Sequence, residues 1–105
     1  MPTYNYTIGP SGRDYTSLQA AWDANKAGPD GDYVITIDAG TYNQFSATGD
    51  TGTKTWLFAA ADGDAFEGVF QEFEPWIYPR IFGIILNAAN PITLRGLVSY
   101  GPAVG

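Results

Sequence analysis

The chain has 105 residues, 45% of them apolar and 13 of them glycine, which suits one domain with a modest core and is too rich in turns for a helical bundle. Eleven acidic residues stand against five scattered basic ones, and the net charge of −6 leaves no basic stripe that could neutralise the phosphates of a nucleic acid. Neither Cys nor His occurs, which excludes disulfides, thiol nucleophiles, imidazole acid–base chemistry and the usual zinc ligands, and no window approaches the roughly 20 apolar residues of a membrane span.

In chain order, Tyr4, Tyr6 and Ile8 alternate with Asn5 and Thr7, the period of a half-buried strand, until Gly9-Pro10-Ser11-Gly12 breaks it. Within TSLQAAWDANKAGP, Thr16 stands three residues before Gln19, the spacing of a capping box, and Gly28-Pro29 supplies a stop. The helix so predicted over residues 16–27 carries Leu18, Ala21, Trp22 and Asn25 on one face, and that face needs an apolar surface to lie on. A strand is expected from Tyr33 to Ala39, where Tyr33, Ile35, Ile37 and Ala39 alternate with more polar residues and Gly40 permits a corner.

NQFSATGDTGTK, following Tyr42, is polar and Gly-rich and reads as a loop, before a strand over TWLFAA. Asp62-Gly63 and Gly68 mark further corners, and Pro75 and Pro79 argue against a central strand in QEFEPWIYPRIF. The last third holds apolar runs at Ile84 to Leu86 and Ile92 to Leu94 and a third beginning at Leu97 and Val98, with Asn87 and Asn90 suited to left-handed corners. The strand-bearing segments that begin near Tyr33, Thr55 and Gly83 recur at roughly 22 to 28 residues, a period of stacked coils. The expected fold is mainly β: a short parallel β-helix of about three rungs over residues 33–100, capped by the helix, in one domain spanning residues 1–105.

The series YTIGPSGRDYTSLQAAWDA, GDYVITIDAGTY, TWLFAAADGDAFEGVF and GIILNAANPITLRGL resembles the opening of right-handed parallel β-helix proteins of the pectate-lyase-like superfamily. The versions it most resembles are those of bacteriophage virion proteins and tail spikes. The resemblance implies that the helix caps the open N-terminal end of the stack, with Leu18 and Trp22 packed on the first rung. It implies a structural component of the phage particle, either a capsid accessory or decoration protein or part of a fibre or spike, located in the virion. Its partners would be itself, as a homo-oligomer such as a trimer, and capsid or tail proteins, with no nucleic acid and no membrane among them.

Two surfaces would mediate such assembly. The last rung has no strand below it, so an edge from Ile92 to Tyr100 invites pairing with another chain. The aromatic segment with two prolines reads as an excursion whose large side chains make interface anchors. The interface residues expected are therefore Phe73, Trp76, Ile77, Tyr78, Leu97 and Tyr100, and Trp76→Ala should weaken assembly while leaving the fold largely intact.

The alternative is a carbohydrate-binding or polysaccharide-cleaving module. Enzymes on this fold use paired carboxylates, or calcium with a basic residue, on one face of the stack. Asp38 with Asp62 or Asp64, and Arg95 as the basic group, are the candidates the resemblance offers. The close spacing of Asp62, Asp64 and Glu67 could serve a hard cation, although it lacks the ligand number of a calcium loop, and a solvated corner explains it better. The sequence therefore assigns no catalytic residue, metal or cofactor. A third reading makes the chain the first segment of a longer spike.

Overall fold

The computed structural model describes residues 2–61 and 79–100. Their elements are β1 (Thr3–Ile8), α1 (Leu18–Asn25), β2 (Gly31–Ile37), β3 (Gly40–Tyr42), β4 (Phe45–Thr48), β5 (Lys54–Ala60), β6 (Pro79–Phe82), β7 (Ile84–Asn87), β8 (Ile92–Arg95) and β9 (Val98–Tyr100). They form three sheets, ordered β1-β2-β5-β8, β3-β6-β9 and β4-β7, and every strand pair is parallel. The chain thus winds from sheet to sheet and returns one strand lower on each circuit, a short parallel β-helix. One rung is β2-β3-β4, the next is β5-β6-β7, and the lowest described is β8-β9, with β1 above them all.

Register explains why the period is imperfect. Gly31 lies opposite Lys54 and Arg80 opposite Val98, offsets of 23 and 18 residues, whereas Trp56 opposite Ile92 and Gly40 opposite Pro79 are offset by 36 and 39. Only the longer circuits contain residues 61–78, which join β5 to β6 where the corresponding corners are the two-residue Asp38-Ala39 and Gly96-Leu97.

Alternation in the strands sorts side chains into an inner column and an outer one. Tyr33, Ile35 and Ile37 of β2 are buried, and beneath the first two lie Trp56 and Phe58 of β5, then Ile92 and Leu94 of β8. The Tyr33 and Trp56 rings stack at 4.6 Å, and Phe45 reaches across the interior to Phe58 at 5.0 Å. Positive φ occurs at Gly83 (82°) and Gly96 (74°), the corners that follow β6 and precede β9, a conformation L side chains resist.

Several boundaries differ from the sequence expectation. The N-cap is Ser17, with extended backbone and its Oγ accepting the Ala20 N–H at 3.0 Å, rather than Thr16. The capping box fails because Gln19 spends its amide elsewhere, as described below. The segment after Tyr42 contains β4, since only Phe45 and Ala47 need point inward to make four residues a strand. Pro79 begins β6, the middle strand of its sheet, at the first position, where a missing N–H is tolerated. Asn87 and Asn90 are not left-handed, for no described residue other than glycine has positive φ.

Candidate functional site

The two ends of the stack differ, and the difference begins with one helix. Leu18, Ala21, Trp22 and Asn25 are all buried, as the helical spacing predicts. Trp22 lies 4.4 Å from the Trp56 ring and 5.9 Å from Phe45, so α1 closes the upper mouth of the core. Its polar atoms then treat β4 as a neighbouring strand would. Gln19 Nε2 donates to Ser46 O at 3.2 Å while Gln19 Oε1 accepts the Ser46 N–H at 2.8 Å, and the Trp22 indole N–H donates to Thr48 O at 2.9 Å. The upward groups of a top strand are therefore satisfied by side chains.

Above β1 a turn does similar work. Tyr15 bridges Ile8 in parallel, its N–H donating to Thr7 O at 3.0 Å, and Asp14 accepts from the Thr7 N–H at 3.0 Å and the Thr7 hydroxyl at 3.2 Å. The turn is fastened to the first rung by Arg13, whose Nε lies 2.7 Å from Asp38 Oδ2. Gly9 is needed there, since a Cβ on it would come within 2.6 Å of the same carboxylate oxygen.

The lower end has no such cover among the described residues. Trp56 N–H donates to Pro91 O at 3.0 Å, so by alternation Pro91, Thr93 and Arg95 face β5, while Ile92 and Leu94 turn their N–H and C=O away from the stack. Leu86 follows Ala47 in the inner column of its sheet, where β7 is the last described strand, and it is 46% exposed. A cavity of about 280 Å³ opens beside it, lined by Leu86, Asn87, Ala88, Asn90 and Ile92. Ile92, Leu94 and Leu97 are half-buried, packed against the core from below.

One buried carboxylate holds this open end in place. Asp50, 6% exposed, accepts the Ala89 N–H at 2.7 Å, the Asn90 N–H at 3.1 Å and the Asn90 side-chain amide at 2.7 Å. Asn90 in turn offers Oδ1 to the Lys54 N–H at 3.1 Å, standing in for a strand residue where β8 has not yet begun. Burial alone would raise the Asp50 pKa, but the bonds from Ala89 and Asn90, helped by the nearby Trp56 indole, outweigh it and hold the carboxyl below its usual range. The Trp56 N–H itself makes no hydrogen bond of good geometry. Lys54 is buried beside this clasp, with its ammonium donating to Thr51 O.

Of the residues expected to carry function, Leu18 and Trp22 lie under the upper end, and Leu97 lies half-buried at the corner before β9, whose last residue is Tyr100. Phe73, Trp76, Ile77 and Tyr78 fall outside the described residues, as do Asp62, Asp64 and Glu67. Asp38 is engaged by Arg13, and Arg95 is exposed at the end of β8, two strands below Thr36 in the outer column. The roles of Gln19, Asp50 and Asn90 carry no local sign in the sequence. Asp50 follows a glycine in a polar stretch, where a solvated turn is the ordinary reading, and only the register brings Asn90 opposite it. No protein-family model, curated protein or solved structure matches the chain.

Proposed function

We propose that the chain is a structural component that acts by assembly, presenting the lower edge of its β-helix to another polypeptide. The observation that carries this reading is the asymmetry of the ends. At the upper end Thr7, Ser46 and Thr48 have outward groups met by Asp14, Tyr15, Gln19 and Trp22, whereas Ile92 and Leu94 offer donors and acceptors beside an exposed, inward-directed Leu86. Exposed strand edges are templates for pairing, and the apolar inner column beneath them adds a hydrophobic gain to the backbone bonds. The resemblance of the sequence to phage virion and tail-spike openings gives this assembly its setting, a virion structural protein. A polysaccharide-cleaving role draws no comparable support from the described carboxylates, since Asp38 is paired with Arg13.

Leu94→Pro tests the reading. Proline removes an N–H that β5 does not use, so the rung survives while the outward edge loses a donor. The wild-type chain should sediment as an assembly and the variant as a monomer with an unchanged circular dichroism spectrum. Identical monomers in both cases would refute self-assembly through this edge.

A further inference from the structure

The proposed assembly leaves open which surface meets the lower edge. We infer that it is the same edge of a second copy, β8 pairing antiparallel with β8 across a twofold axis at Thr93. This rests on the assembly reading and gives it a geometry.

Head-to-tail stacking would lay β8 of one copy above β1 of the next, with the inner columns continuous: Ile92 over Tyr4, Leu94 over Tyr6 and Arg95 over Thr7. The place over Thr7 is taken. Tyr15 pairs with Ile8, which sets Asp14 over Thr7, bonded to its N–H and hydroxyl. Over the third sheet, Gln19 and Trp22 occupy the upward groups of Ser46 and Thr48. With Thr7, Ser46 and Thr48 so occupied, the top surface accepts no complete rung in register.

The lower edge is complementary to itself. Two residues, Ile92 and Leu94, carry the outward N–H and C=O groups, and Thr93 stands between them. A twofold axis at Thr93 places Ile92 opposite the partner copy's Leu94 and the reverse. Each such pair exchanges both of its backbone hydrogen bonds, as hydrogen-bonded pairs of an antiparallel ladder do. Pleat agrees as well. Ile92 and Leu94 both point inward, so the two inner columns join, and the outward Thr93 meets its own copy as a Thr–Thr cross-strand pair, a favourable one.

Charge does not oppose the arrangement. Residues 79–100 contain Arg80 and Arg95 and no acidic residue, so two lower ends carry the same sign. The axis, however, puts Arg95 opposite the partner copy's Pro91. The two Arg95 backbones are then roughly 14 Å apart along the strands, beyond the Debye length of about 8 Å at physiological salt. Because the interface is isologous and uses the lower edge of both copies, the assembly closes at two, not at the trimer that the resemblance suggests.

The absence of cysteine makes a direct test available. In Thr93→Cys the only thiol of each chain would face its copy in a non-hydrogen-bonded pair, where Cα atoms lie about 4.5 Å apart, within disulfide range. Mild oxidation should convert nearly all of that variant to a covalent dimer. Thr36→Cys, outward on the inner strand β2, should stay almost wholly uncrosslinked, and sedimentation of the wild-type chain should give a dimer whose mass does not grow with concentration. A mass that keeps growing, with Thr93→Cys uncrosslinked and Leu94→Pro monomeric, would overturn the twofold geometry and leave edge assembly standing. A wild-type monomer indistinguishable from Leu94→Pro would overturn self-assembly through this edge and the twofold geometry with it.

Discussion

The upper and lower ends of this stack face the same physical problem and meet it differently. Each ends in strands whose outward backbone groups have no neighbour in the sheet. At the top a single amphipathic helix supplies both an apolar lid, through Leu18 and Trp22, and a set of polar atoms that mimic the missing strand, through Gln19 and the Trp22 indole. At the bottom a carboxylate fixes the last corner from the inside, but nothing described covers Leu86 or the outward groups of Ile92 and Leu94. A cap satisfies the edge and the core together, whereas a clasp secures only the backbone. That difference predicts where the molecule resists perturbation and where it yields.

The largest effect should follow from opening the closed end. Trp22 is fully buried against Trp56 and Phe45, so Trp22→Ala removes the lid and a hydrogen bond to Thr48 together. A loss of about 3–5 kcal/mol is expected, a large share of the stability of a domain this size. Chemical denaturation followed by tryptophan fluorescence would measure it. A loss below about 1 kcal/mol would mean that the helix is not the cap that the contacts describe.

The clasp at the open end comes next. Asp50→Ala leaves the Ala89 and Asn90 N–H groups without their acceptor and frees Asn90 from its hold beside Lys54, at an expected cost of about 2–3 kcal/mol. The sign of the pH dependence follows from the same bonds. The folded-state pKa of Asp50 is depressed, so the unfolded chain takes up the proton more readily. Its contribution is complete above the unfolded pKa and is lost as pH falls through the folded one. Wild-type stability should therefore decline on acidification, and Asp50→Asn should flatten that decline. Hydrogen exchange should show the amides of β8 losing protection in acid before those of β2.

Trp22 and Asp50 also show what the sequence made legible. The helix announces itself because Leu18, Ala21, Trp22 and Asn25 repeat at helical spacing, and all four are buried. Coils of β structure were legible in the alternation at Tyr33, Ile35 and Ile37 and in the apolar runs near Ile84 and Ile92. Asp50 carries no local signal. Its role depends on residues 39 and 40 positions away, brought opposite it by one long circuit of the chain. The strand β4 was hidden for a related reason: four residues with two inward side chains, flanked by glycine and polar residues, have the composition of a loop until their neighbours are in place. Ser17 replaced Thr16 as the cap because Gln19, the residue that would have closed the box, bonds β4 instead.

Gln19 isolates the polar half of the upper cap from its apolar half. Gln19→Ala keeps the helix propensity and the buried face but leaves the upward N–H and C=O of Ser46 to water. The expected loss is about 1–2 kcal/mol, smaller than for Trp22 because the groups are only partly buried. Gln19→Glu tells more, since the carboxylate still accepts the Ser46 N–H but cannot donate to its C=O. Because the amide nitrogen it replaces also bonds Asp23 at 3.1 Å, that carboxylate meets a like charge and should leave the chain no more stable than Gln19→Ala, and equal stabilities for all three would mean that solvent caps β4 as well as the helix does.

The smallest effect belongs to Leu86, and it sharpens the comparison most. Its side chain points along the inner column, where a Leu→Ala change typically costs 2–5 kcal/mol, yet it is 46% exposed. In the isolated monomer Leu86→Ala should therefore cost under about 1 kcal/mol, close to the value for a surface site. Raising the protein concentration separates the two ends. If the lower face is covered on assembly, the cost should grow with concentration as Leu86 gains a partner, because stability that derives from association follows mass action. The cost of Gln19→Ala, set by contacts within one chain, should stay fixed over the same range. Paired denaturation series for the two variants at low and high concentration would make that measurement, and parallel behaviour of the two would show that Leu86 remains uncovered in the assembled state.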